Sequence, residues 1–254
     1  MLHDWPMEII GGLIAGGFIG AVLGFIGAGG AMLSVPILLY IFDFNPQAAT
    51  TAAIAVVLAA AISGLLPKIK NKEVLFKEAL VIWALGLVTN VGFSIIAHRL
   101  SDSVITTGFS IVLLSAGTAM LIKPVAGTEK KIPLAWLVVI SLVIGSMTGL
   151  FGIGGGFLAV PVLVLFFKNP PGKAAGTSLA IIALNSITAF LGHYQTWSEV
   201  TWTAPIAMSI SAVVIARLAS IKSGQMNQAV LRKAFAALLY SIAIFTLLQT
   251  WVIA

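Results

Sequence analysis

No cysteine occurs in the 254 residues. That removes disulfides, thiolate metal sites and cysteine nucleophiles together. Charge is almost as scarce, at 9% Asp, Glu, Lys and Arg, against roughly 25% in soluble domains. The acidic residues Asp4, Glu8, Asp43, Glu73, Glu78, Asp102, Glu129 and Glu199 all fall in loops or at the ends of apolar segments. Transmembrane carboxylates commonly carry proton relays or bind cations. Their absence argues against a metal-cation or amine substrate and against a carboxylate-based proton pump, which leaves an anion or a neutral solute. No Walker motif is present, so ATP is not used through this chain. No cofactor, no metal and no enzymatic activity are expected. Ser178 and His193 are fifteen residues apart on one segment, about 22 Å along a helix, so they cannot form a catalytic dyad. No cleavable signal is expected, because the start lacks a basic stretch ahead of a short apolar run.

What the chain does have is apolar sequence: 59% hydrophobic residues and a mean hydropathy of +1.10, the composition of an all-α polytopic membrane protein. Its partner is a lipid bilayer. The net charge of +6 does not point to nucleic acid, since the cations lie in short loops. Apolar segments run over 7–27, 31–42, 47–66, 78–97, 103–122, 134–151, 156–167, 174–192, 202–219 and 229–252. Eight approach the roughly 20 residues that a spanning helix needs. The segments 31–42 and 156–167 are too short and directly follow glycine clusters. If both turn back as re-entrant hairpins, Lys68, Lys70, Lys72, Lys77, Lys123, Lys130, Lys131, Lys168, Lys173, Lys222, Arg232 and Lys233 collect on one side, and only Arg99 among the loop cations falls on the other. If both continue across, the same cations split seven to six. The positive-inside rule selects the hairpins and predicts the cytoplasmic membrane, with both termini outside the cytoplasm.

The chain also repeats itself. Gly20, Gly24, Gly27, Gly29, Gly30, Leu33, Val35 and Pro36 recur 125 residues later as Gly145, Gly149, Gly152, Gly154, Gly155, Leu158, Val160 and Pro161. Three crossings and a hairpin per unit make the two units inverted repeats: 1–122 and 134–254, joined by a cytoplasmic linker at 123–133. A repeated broken hydrophobic segment is the best sequence-level pointer to a transport site. Glycines permit the positive φ of a hairpin apex, and the short helix after each apex, near Ala31 and Phe157, offers an N-terminus suited to an anion. The candidate substrate-lining residues are therefore Gly27, Gly29, Gly30, Ala31, Gly152, Gly154, Gly155, Gly156 and Phe157, with the two apices expected to meet near the midplane. Gly12, Gly16, Gly20 and Gly24, spaced by four, read instead as a packing face. Pro36 and Pro161 read as kinks.

Thr177 and Ser178 could offer hydroxyls to an oxyanion or bond their own helix. Asn185 reads equally as site lining or as interhelical glue, and Asn90 as glue. Arg217 either snorkels toward the cytoplasm or attracts the anion. Lys68 and His193 hold matching positions on opposite faces, as cationic ends of two access paths or as interfacial residues. Histidine titrates nearest neutrality, so His193 is the candidate proton sensor. Trp5, Trp197, Trp202 and Trp251 fit an interfacial belt.

Gly27-Ala28-Gly29-Gly30 with Val35-Pro36, and Gly152 to Pro161 followed by Ala175-Gly176-Thr177-Ser178, resemble the sulfite exporter TauE/SafE family of permeases over essentially the whole chain. The second half matches better: Ala31 stands where a third glycine is common, and Ala49–Ala53 replaces the usual Gly-Thr-Ser. The resemblance implies a secondary transporter for sulfite, sulfonates or other small sulfur-containing anions, with proton-linked movement in some members. Alternatives are an anion channel or a carrier for another small organic anion.

Overall fold

A computed structural model of the chain describes residues 5–97, 101–122, 133–151, 156–165 and 167–253. Among the described residues it is helix and loop, without a strand. The order is α1 (Trp5–Ile26), α2 (Gly30–Tyr40), α3 (Pro46–Lys70), α4 (Phe76–Ala97), α5 (Asp102–Ile122), α6 (Leu134–Phe151), α7 (Gly156–Leu165), α8 (Pro171–Gly192), α9 (Thr203–Ser223) and α10 (Gln228–Leu248). A 3-10 turn, Tyr194–Glu199, connects α8 to α9. Each apolar segment read from the sequence is one helix, and the two short ones are α2 and α7. Seven helices are long and apolar enough to cross a bilayer. The eighth expected to span, α6, has 18 residues and stops at the second glycine cluster. The proposed linker lies, but for Pro133, outside the described residues.

Local chemistry sets the breaks. Gly27 and Gly29 have φ of +75° and +88°, where a side chain would be strained. The turn they make sends α2 back along α1. A Cβ on Gly30 would lie 2.6 Å from Leu23 Cδ1, and one on Gly11 would lie 3.4 Å from the Phe42 ring. The first short segment is thus a hairpin arm, as the loop charges required. Pro36 and Pro161 lie inside α2 and α7. The central helices α3 and α8 both start with proline at the first turn, where its missing N–H costs nothing. Asn45 also caps α3 by accepting the Ala48 N–H at 2.8 Å.

The helices α3 and α8 are the most buried spans and pack on each other. They run antiparallel: Thr51, early in α3, meets His193 just after α8, and Lys68, late in α3, lies against Gly176 early in α8. Around this pair, α1 packs on α9 and α4 on α6, while α5 pairs with α10. Exchanging α1–α5 with α6–α10 leaves that set of pairings unchanged. The α1 stripe packs backbone to backbone. Cβ atoms on Gly16, Gly20 and Gly24 would fall 2.0, 2.5 and 2.4 Å from the carbonyl oxygens of Met208, Ala212 and Ala216. At the matching place a Cβ on Gly145 would fall 2.3 Å from the Gly86 carbonyl oxygen. Lipid supplies no hydrophobic drive between helices, so such close packing holds the bundle.

The described loops near Asn71, Gly172 and Gly224 gather at one end. Gly172 faces the Glu73 carboxylate, and Gly224 approaches the Asn71 carboxamide. Trp197 stacks on Phe190 with ring centres 4.5 Å apart, at the opposite end of α8. Because Gly16 has no room even for a methyl, Gly16→Ala is expected to cost about 1–3 kcal/mol, read as a lowered Tm in detergent. Gly92, with nothing within 4 Å, should accept alanine without loss in the same assay.

Candidate functional site

The first apex is buried throughout, from Gly27 to Gly30. A Cβ on Gly27 would lie 2.6 Å from Ala175, four residues into α8 and about 6 Å from its first residue. This apex therefore sits near one end of α8; the second apex, which the sequence expects to meet it near the midplane, lies outside the described residues. The reason is length. The 22 residues of α1 extend about 33 Å and cross the bilayer before the turn, whereas the 11 of α2 return only about 16 Å. Around the start of α2, Leu238 and Val22 approach Gly29, and Leu23 covers Gly30. Ala31 lies in the first turn of α2. Gly152, Gly154 and Gly155 lie outside the described residues. Gly156 and Phe157 open α7.

The two ends of the α3–α8 pair carry different polar clusters. At one, Thr51 Oγ1 lies 3.0 Å from His193 Nδ1 and 2.7 Å from Thr196 Oγ1. At the other, Lys68 Nζ donates to Glu73 Oε2 at 2.9 Å, with Lys68 wholly buried and Glu73 29% exposed. The matching sequence positions of Lys68 and His193 thus occupy opposite ends of the core. Thr177 belongs to the lysine end. Its hydroxyl donates to the Lys173 carbonyl at 2.8 Å and accepts the Leu75 N–H at 3.0 Å. In this conformation it closes the start of α4. Ser178 is buried one residue further on. Arg217 lies on an exposed face of α9, away from both clusters.

Asn185 lines a small cavity between α4, α6 and α8, together with Asn90, Thr148, Gly86, Gly145, Ile82, Ile144 and Ile181. Its volume of about 10 Å³ holds about one water molecule. Sequence reasoning assigned Asn90 to helix contact and overlooked Thr148. The signal available was that Thr148 stands one turn before the second glycine cluster, on the same repeat as Asn185. No cluster of three or more His, Cys, Asp or Glu occurs among the described residues.

Apolar spanning helices, a glycine-broken hairpin and polar groups held between helices define a multi-pass membrane protein with interrupted spans. The chain belongs to the sulfite exporter TauE/SafE family, whose model it matches over residues 12–246. It is 24% identical over 246 residues to a "Probable membrane transporter protein" of Xylella fastidiosa strain 9a5c, covering 93% of this chain and 94% of that one. It is 28% identical over 228 residues to "Probable membrane transporter protein YunE" of Bacillus subtilis, covering 79% and 81%. It is 29% identical over 199 residues to "Probable membrane transporter protein MJ0441" of Methanocaldococcus jannaschii, covering 74% and 73%. No solved structure matches the chain significantly. The family and these relatives make it a membrane transporter.

The Lys68–Glu73 pair gives an asymmetric expectation. Glu73→Gln leaves a buried ammonium without its counter-charge and should cost about 1–3 kcal/mol. Lys68→Met leaves a carboxylate that reaches water and should cost less. Thermal melts of the two variants against wild type make the comparison.

Proposed function

We propose that the chain is a secondary carrier that moves small sulfur-containing anions, sulfite or an organosulfonate, across the cytoplasmic membrane by alternating access. The observation that carries this reading is the antiparallel α3–α8 core, flanked by a broken hairpin, in a chain of the sulfite exporter TauE/SafE family. The halves 1–122 and 134–254 act as inverted repeats about that core. An antiparallel pair related by exchange of the halves supports the inversion. The clustered loops around Lys68, Lys173 and Lys222 face the cytoplasm, and both termini lie outside.

The anion is held by backbone amides at the starts of α2 and α7, where helix dipoles favour negative charge. In the conformation described here the α2 start is walled by Leu23, Val22 and Leu238, so it represents a closed state of that arm. Opening moves the hairpin away from Ala175 and α10. Proton linkage acts through the anion's own protonation or through His193 beside Thr51.

The test is uptake of radiolabelled sulfite into proteoliposomes, with and without an imposed pH gradient and with empty liposomes as control. Saturable, protein-dependent uptake that follows the gradient is expected. Absence of protein-dependent uptake by folded protein overturns sulfite as the substrate, and flux that never saturates overturns the carrier in favour of a channel.

A further inference from the structure

The cavity between α4, α6 and α8 has a size, a chemistry and an asymmetry that the anion site does not account for. Asn90, Thr148 and Asn185 each lie fourteen residues after the first residue of their helix, roughly 21 Å along it. All three line the one cavity. No ionisable side chain is among the lining residues. The Thr148 hydroxyl donates its proton to the Ile144 carbonyl at 2.7 Å, so toward the cavity it can only present lone pairs. Thr148 lies three residues before Phe151, the last described residue of α6. Each asparagine brings a carbonyl oxygen, and a carboxamide has more bonding positions than a single partner uses.

We infer that this cavity is a binding site for one dehydrated Na⁺ ion. Space for about one water admits a small cation and not an oxyanion with three or four oxygens. Neutral oxygens without a carboxylate suit a monovalent ion and leave a divalent ion with too little compensation for its lost hydration. Broken-helix carriers place coupling-ion sites between helices near the bilayer midplane.

The symmetry-related place between α9, α1 and α3 has no such polar lining among the described residues. The repeat counterparts of Thr148, Asn90 and Asn185 are Leu23, Ile215 and Ala60, and Leu23 and Ala60 are wholly buried. The same helix packing thus encloses a polar space between α4, α6 and α8 and apolar side chains between α9, α1 and α3, giving one ion per chain. Resting on the carrier reading, this site adds Na⁺ to the ions that bias the transport cycle, and binding by itself does not depend on that reading.

The experiment compares Tm of the purified full chain in NaCl, KCl and choline chloride at equal ionic strength, together with equilibrium binding of ²²Na⁺. Wild type is expected to show a saturable rise of a few degrees in Na⁺ alone and about one bound ion per chain. Thr148→Ser, which keeps the oxygen, should retain both effects, and the isosteric Thr148→Val and Asn90→Leu should lose them. Equal Tm in the three salts without ²²Na⁺ binding, or undiminished binding by folded Thr148→Val and Asn90→Leu, overturns the site. Sulfite uptake is scored separately. Na⁺ binding without sulfite uptake supports the site while the substrate reading fails.

Discussion

The antiparallel contact of α3 with α8 is the constraint on which the rest of the molecule depends. These two helices carry the largest sets of buried residues, many of them alanine, and the remaining helices stack around them. Small side chains let the two backbones approach where lipid offers no hydrophobic drive. Because the pair is antiparallel, any tilt between α3 and α8 that closes one end opens the other. The ends are not alike. One is fixed by a buried ammonium and its carboxylate, the other by two threonines and a histidine. Separating the ion pair while Lys68 stays buried leaves an uncompensated charge, whereas the hydroxyl cluster holds no charge pair to break.

The repeat shared by the two halves is structural before it is chemical. Gly20 against Ala212 and Gly145 against Gly86 make the same close crossing at matching places. Residues lining those crossings differ: isoleucine, leucine and alanine on one side, two asparagines and a threonine on the other. Equivalent backbones can therefore hold unequal interiors.

Helix number, the short arms and the glycine packing face were legible in the sequence because each rests on a local pattern. Spacing by four gives the Gly12–Gly24 face, and the loop cations distinguish hairpin from crossing. Depth was not legible. Charge counting reports the side on which a loop lies, but the apex level follows from how far α1 runs before Gly27. The use of Thr177 was hidden for another reason. Its partner Leu75 lies 102 residues away, and only the packing of α4 on α8 brings them together. The cavity is a meeting of three helices, so Asn90 and Asn185 could be weighed only singly. Thr148 looked like an ordinary hydroxyl bonding its own helix, which it also is.

The account stands or falls on whether the ends of the core separate during transport. The most direct measurement uses the chain's lack of cysteine: Thr51→Cys with Thr196→Cys, whose native hydroxyls are 2.7 Å apart, gives a single cross-linkable pair between α3 and the turn after α8. Oxidation should arrest saturable substrate uptake in proteoliposomes, and a reductant should restore it. Full uptake by completely cross-linked protein would contradict alternating movement about the α3–α8 pair.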